Sequence, residues 1–303
     1  MFTIRFVSFL VLLGAALVSG PASGLIDHLV PIYSEDFEGE SSFPTTPEFD
    51  PILLGGMSDL PIGNSSPSAT FDGSNLSIGL SATAGPFFVE QLIAGPFSAF
   101  APLMTVGARA VLSGYDATVN GVGQTFAGLV LSGPGGVVTA NLQRFVSSLN
   151  PADDLLGLVV SDLDLLTGAT NSFDFVVLTG ATRAAVEAGQ AVEIELLFDG
   201  VSGSASAAAT IGTVQIATAA ITPTFVSVES LGVFAGVTNV FVNSIFGPID
   251  LGRDDALSVD FASYEVRSIP EPAISWLFGT GLAVWFGVSG RRDRAAHTAR
   301  QRA

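Results

Sequence analysis

Alternation of apolar and polar residues with a period of two runs through the middle of the chain. Between Gln190 and Asp199, Val192, Ile194, Leu196 and Phe198 fall on one face, and Glu193 and Glu195 fall on the other. That pattern marks a half-buried strand. Ser172 to Val177 sets Phe173, Phe175 and Val177 on one face with Asp174 opposite, which assigns the three apolar residues to a core. Leu257, Val259 and Phe261 alternate in the same way with Ser258 and Asp260. Further strand-like runs cover Leu76–Leu80, Pro86–Ile93, Leu103–Leu112, Gln124–Leu131, Val137–Phe145, Leu155–Val160, Ser204–Ile211 and Thr213–Ile221. Gly, Pro, Asn, Asp and Ser punctuate these runs at intervals of roughly 8 to 15 residues, the rhythm of a sandwich rather than of βαβ units. Ala181 to Gly189 is the one stretch that predicts a short helix, being alanine-rich and closed by a glycine. Residues 25–75 are irregular and rich in Pro, Ser, Gly and acid, and predict one early strand near Tyr33–Phe37 followed by long loops. No fixed-period repeat is present, which argues against a solenoid. The expected fold is all-β: a single two-sheet antiparallel sandwich, jelly-roll-like, over residues 25–267.

The two ends read differently. Residues 1–24 predict a signal peptide: Arg5, an apolar run from Phe6 to Val18, then small residues. Ala22 and Gly24 fit the −3 and −1 positions of a cleavage site, and Val18 and Gly20 give a second fit. At the other end, Pro270-Glu271-Pro272 precedes an uncharged stretch, 273–290, and an arginine-rich tail, 291–303. Prolines do not continue a helix, so a span has to begin after them. Eighteen uncharged residues extend ~27 Å as a helix, enough to cross a hydrocarbon core. Arg291, Arg292 and Arg294, with Arg300 and Arg302 behind them, act as a stop and hold the tail in the cytoplasm. The expected topology is an exported body with one C-terminal transmembrane helix.

Residues 268–303, with Pro-Glu-Pro, span and arginine cluster in that order, closely resemble the PEP-CTERM sorting signal. That resemblance implies a Gram-negative host that makes exopolysaccharide. It also implies an exosortase-type processing enzyme, a membrane transpeptidase-like protein, as partner, acting near Pro270, Glu271 and Pro272. The tail continues nine residues past Arg294, beyond where such signals often stop. The strand layout of the body resembles lectin-like jelly rolls of the laminin-G and concanavalin type. In those domains an opening strand, here Glu35-Asp36-Phe37-Glu38, and a closing strand, here Val259 to Val266, lie at the two ends of the body. Pairing of the first and last strands in one sheet would account for that arrangement.

Composition narrows the chemistry. The chain has no cysteine, and all 11 basic residues are arginine. Disulfides, thiolate metal sites and lysine Schiff bases are therefore excluded. Residues 25–267 hold 26 acids against five arginines, a formal net charge of −21, which makes nucleic acid an unfit partner. Such charge gives solubility and mutual repulsion. The two histidines are His28, near the cleavage site, and His297, in the tail, so a Ser-His-Asp triad or a histidine zinc site is not expected. Carboxylates alone point to glycoside hydrolysis. Glu193-Ile194-Glu195 is the nearest match to the Glu-x-Asp-x-x-Glu pattern of jelly-roll glycanases, but Leu196, Leu197 and Phe198 follow where a third carboxylate belongs. The pair therefore reads as an exposed acidic stripe. Asp153-Asp154, Asp162-Leu163-Asp164 and Asp254-Asp255 leave room for a structural Ca²⁺ but form no EF-hand loop. No cofactor is expected, and no metal ligand set is assigned. Both tryptophans, Trp276 and Trp285, lie in the span, which leaves the body poor in the flat rings that stack on sugars.

These readings predict a non-enzymatic protein of the envelope or extracellular matrix, held transiently in the inner membrane and then cut. Exopolysaccharide or biofilm matrix is its expected surroundings. A carbohydrate-binding, lectin-like module is the first alternative, and a carboxylate-only glycoside hydrolase the second.

Overall fold

The computed structural model describes residues 24–38, 50–53, 64–71, 74–83, 88–94, 104–119, 123–146, 154–164, 170–238, 243–244, 247–248 and 254–269. In chain order the strands are β1 (Val30–Glu35), β2 (Asp50–Leu53), β3 (Asn64–Phe71), β4 (Leu76–Thr83), β5 (Phe88–Ala94), β6 (Thr105–Thr118), β7 (Gly123–Gly133), β8 (Gly136–Val146), β9 (Asp154–Asp164) and β10 (Thr170–Val177). A short helix, α1 (Gly180–Glu187), follows. Then come β11 (Val192–Asp199), β12 (Ser204–Ile211), β13 (Val214–Ala217), β14 (Ser230–Thr238), a two-strand pair β15 (Asn243–Ser244) and β16 (Gly247–Pro248), and β17 (Asp254–Ser268).

Among the described residues the strands build two large antiparallel sheets. One has eight strands, in the order β13-β12-β11-β6-β17-β4-β3 with β1 also paired to β17. The other has seven, in the order β10-β9-β8-β7-β14-β5-β2. The expected two-sheet sandwich is present, and so is the pairing of first and last strands, with Ser34 opposite Glu265 and Tyr33 opposite Val266; the first strand ends at Glu35, however, and leaves out the Asp36, Phe37 and Glu38 expected in it. One continuous core fills the space between the sheets. From the eight-stranded sheet it receives Val106, Ala108, Ala110 and Leu112 of β6, Val192, Ile194, Leu196 and Phe198 of β11, and Val259, Phe261, Tyr264 and Val266 of β17. From the seven-stranded sheet it receives Ala127, Leu129 and Leu131 of β7, and Leu231, Val233, Ala235 and Val237 of β14. The period-two alternation on β11 thus sorts core from outer face as its pattern predicts. Among the described residues no helix is long and apolar enough to cross a membrane. The span expected at 273–290 lies outside them.

β2 and β3 are strands where long loops are expected, and two further elements depart from the sequence reading. On β10 the faces are reversed: Phe173 is 67% exposed and Val177 is exposed as well. Register with β9 decides this, because Asp174 lies opposite Val160 and Val176 opposite Leu158, both core residues. Neighbours in register share a face, so Phe173, Phe175 and Val177 point outward. Asp174 instead accepts a hydrogen bond from the Ala219 backbone N–H at 2.7 Å. The second departure is β14, central in its sheet between β7 and β5 yet absent from the predicted strands. Its outer positions include Gly232 and Gly236, which break the apolar alternation. Gly236 leaves room for the Phe126 ring, which lies where a Cβ would stand, a common use of glycine in a strand.

Candidate functional site

Arg109 is the centre of a cluster of charges that borders a pocket. It lies on the outer face of the eight-stranded sheet, between the core positions Ala108 and Ala110 of β6. Register places Glu195 of β11 opposite it on one side and Glu265 of β17 opposite it on the other. Arg109 Nε donates to Glu195 Oε1 at 2.9 Å, and Nη2 donates to the same oxygen. The Nη2 group also donates to Asp27 Oδ1 at 2.5 Å. Glu193 Oε1 lies 3.6 Å from Nε, and Glu265 Oε2 lies 3.7 Å from Nη1. Arg267, two residues beyond Glu265, reaches Glu265 at 3.1 Å and Asp27 at 3.6 Å. Two guanidinium groups therefore meet four carboxylates.

Asp27 enters the cluster on a turn that crosses the outer face. Ile26 and Leu29 of this turn are buried, and both sit over Gly107. A Cβ at position 107 would stand 2.6 Å from Ile26 Cγ2, so this close approach requires glycine. The Leu25 backbone N–H donates to Glu195 Oε2 at 2.5 Å. Covered in this way, Glu195 is only 1% exposed. The exposed stripe expected of Glu193 and Glu195 is thus corrected: half of it is a buried clasp, and only Glu193 keeps access to solvent.

Beyond the turn the outer face stays open. A pocket of about 290 Å³ lies there, lined by Glu35, Asp36, Glu193, Glu265, Arg109 and Val111 together with Ser34, Ser263 and Tyr264. Burial pushes the Glu193 carboxyl above its ordinary pKa, against the pull of Arg109, and the charges of Glu195, Asp27 and Glu265 add to the rise. Asp27 moves the other way, lowered chiefly by its hydrogen bond from Arg109 and then by the Gly24 N–H. Burial opposes the charge on Arg109, but hydrogen bonds to Glu195 and Asp27 outweigh it and raise its pKa above the ordinary value.

A second ionic cluster ties α1 to the sandwich. Arg144 grips Asp154 through Nε at 3.0 Å and Nη2 at 2.8 Å, a bidentate geometry. Arg183 of α1 reaches the same carboxylate at 2.9 Å and Glu187 at 2.8 Å. Arg144 also donates to the Ala117 carbonyl at 2.6 Å. Asp154, one of the acids considered for Ca²⁺, is therefore occupied by arginine.

The other acids considered for Ca²⁺ separate. Asp162 is fully buried and accepts from the Thr224 backbone N–H at 3.1 Å, which fastens the loop before β14. Asp164 ends β9, Asp255 is buried on β17, and Asp153 lies outside the described residues. Among the described residues no group of three or more His, Asp or Glu is arranged to hold a metal ion. Of the sorting residues, Gly24 is the first described residue of the chain. Ala22, Pro270, Glu271, Pro272, Arg291, Arg292 and Arg294 lie outside the described residues.

No family model matches the chain, and no curated protein matches it. Solved structures are similar at low identity. An endo-1,3-β-glucanase from Streptomyces sioyaensis is 13% identical, covers 83% of this chain and 99% of its own, and has a TM-score of 0.46. The catalytic domain of an endo-1,3-β-glucanase (laminarinase) from Thermotoga petrophila is 10% identical over 80% of this chain and 99% of its own, with a TM-score of 0.48. A legume lectin-like domain from Entamoeba histolytica is 8% identical over 72% of this chain and 95% of its own, with a TM-score of 0.41. The likeness concerns the fold, and it agrees with the lectin-like sandwich read from the strand pattern. It also corrects the expectation of a non-enzymatic domain. The similar structures include glucanases as well as a lectin-like domain.

Proposed function

We propose that this chain is an envelope or extracellular-matrix protein, exported by its N-terminal signal and sorted by the PEP-CTERM-like signal at its C-terminus, whose sandwich meets exopolysaccharide. One observation carries the reading. Among the described residues the first strand begins at Val30 and the last ends at Ser268, two residues before Pro270. Both predicted processing points thus flank the sandwich without entering it, and cutting near Pro270-Glu271-Pro272 removes no strand. After β17, Ile269 N–H still donates to the Thr105 carbonyl at 3.3 Å, so the domain is fastened up to the motif. The test is fractionation of host cells with an antibody against the sandwich, comparing the wild type with Pro270-Glu271-Pro272 changed to three alanines. The reading expects a shortened product outside for the wild type and full-length chain in the inner membrane for the variant. Full-length chain in the membrane for both overturns it.

Carbohydrate recognition is the role assigned to the sandwich, and the open pocket beside Arg109 is the place. Its carboxylates and guanidinium can accept from and donate to sugar hydroxyls. Retardation of the exported product in gels cast with the host's polysaccharide measures this. Unchanged mobility in every glycan gel tested counts against it. A second reading, glycoside hydrolysis, is favoured by Glu193, a half-exposed carboxylic acid with a raised pKa beside a second carboxylate, the arrangement that supplies a proton to a leaving group. Release of reducing ends that disappears in Glu193→Gln supports it. Release unaffected by Glu193→Gln removes Glu193 from the chemistry.

A further inference from the structure

The cluster around Arg109 has more negative than positive charge. Asp27, Glu193, Glu195 and Glu265 face Arg109 and Arg267. Within it, the most deeply buried carboxylate, Glu195, takes a hydrogen bond from a backbone nitrogen 170 residues away, that of Leu25, at 2.5 Å. Leu25 is the residue that follows the small pair Ala22 and Gly24 of the expected cleavage site. The neighbouring Ile26 and Leu29 pin the turn to Gly107, so packing of the residues that follow it holds the Leu25 nitrogen at Glu195. Gly24 itself has no room for a side chain, since a Cβ there would collide with the Glu195 carboxylate.

We propose that Glu195 is the receptor for the mature amino terminus: cleavage between Gly24 and Leu25 turns the Leu25 nitrogen into an α-ammonium group that pairs with Glu195 and locks the processed chain onto the outer face. This inference rests on the export reading above. In the cleavage a water molecule adds hydroxyl to the Gly24 carbonyl carbon and hydrogen to the Leu25 nitrogen as the C–N bond breaks. The amine takes a further proton from solvent. The new cation faces Glu195 and Glu193 of β11, Arg109 of β6, Glu265 and Arg267 of β17, and Asp27 of its own turn. It reduces the excess of carboxylates there, and a buried carboxylate that gains an ammonium partner keeps its charge at lower cost. The uncleaved chain offers only a neutral N–H at the same point.

The chain has no lysine, so its α-amine is the sole primary amine for an acylating reagent. The full-length gene is expressed in the host, the processed exported product is purified, and its first residue is read by N-terminal sequencing. Acylation of that amine by an activated acetate ester is then followed by mass, in the wild type, Glu195→Gln and Glu193→Gln. The proposal expects Leu25 as first residue, acylation at least about tenfold slower in wild type than in Glu195→Gln, a factor of ten being about 1.4 kcal/mol, and little change in Glu193→Gln. Should Glu195→Gln not fold, the wild type alone decides: acetylating its amine lowers Tm by about 3 °C or more. A product beginning at Leu25 with equal rates and an unshifted Tm overturns the proposal and leaves export standing. A product beginning elsewhere also overturns it and leaves export standing. A retained leader overturns both.

Discussion

The two arginine clusters lie on one sandwich and are built oppositely. At Asp154, two arginines close on one carboxylate, with Glu187 balancing the second cation. Every charge there is answered, and the result is a strut for α1. At Arg109, two arginines are left to answer four carboxylates, and one of the four, Glu193, has its pKa raised, first by burial and then by the neighbouring carboxylates. A balanced cluster is finished structure, whereas an unbalanced one keeps a group ready to exchange a proton or accept a ligand.

Arg109→Met tests this contrast most severely. It leaves Glu195 buried against remaining like charges and should lower the stability of unfolding in urea by about 3–5 kcal/mol. A loss under about 1 kcal/mol would show the clasp to be as weak as an ordinary surface pair. Asp154→Asn should cost less, about 1–2 kcal/mol, because the two arginines it frees are partly exposed and water screens them.

Glu193 should give a pH profile opposite in direction to those of Asp154 and of its own neighbour Asp27. Asp154 and Asp27 have lowered pKa values, so their contribution is present above the ordinary aspartate pKa of about 3.9 and is lost as pH falls through the lowered folded values. Glu193 has a raised value, so the folded protein holds its proton longer than the unfolded chain does. Stability from this group falls as pH rises from about 4.3 through the folded value. Glu193→Gln should therefore flatten the Tm profile on that upper side and leave the acid limb unchanged. An unaltered profile would place the Glu193 carboxyl in ordinary solvent. The smallest effect is expected at β10, where Phe173→Ala should change stability by no more than about 0.5 kcal/mol because the ring is exposed. A loss above 2 kcal/mol would return Phe173 to the core.

What was legible from the residues was whatever depends on near neighbours. The alternation on β11, the short helix after Ala181 and the closing strand at Leu257–Phe261 each carry their own periodicity. What was hidden depends on distant pairing. Nothing within Ser172–Val177 says that β9 will set its register and turn Phe173 outward. Nothing near Glu195 says that Leu25 will cap it. The missed strand β14 was obscured locally, since its outer glycines break the alternation and Gly236 suits the Phe126 ring rather than a propensity rule. The alternation on β11 marks its two acids but reads both as exposed, and Arg109, which organises them, carries no motif. A lone arginine between Ala108 and Ala110 was its only signal.

The position of β17 also has a consequence for the order in which the molecule takes shape. This strand, the last of the described elements, lies inside its sheet between β6 and β4 and also receives β1, with Ser268 opposite Val106 and Leu257 opposite Leu80. A ribosome delivers it after every strand it must join. The seven-stranded sheet, whose strands all precede residue 239, has its whole complement at an earlier time. The eight-stranded sheet cannot close until residues 254–268 arrive, and pairings over such sequence distances are slow to form. Until then the chain lacks the strand that joins β6 to β4, and the edges of both strands stand open.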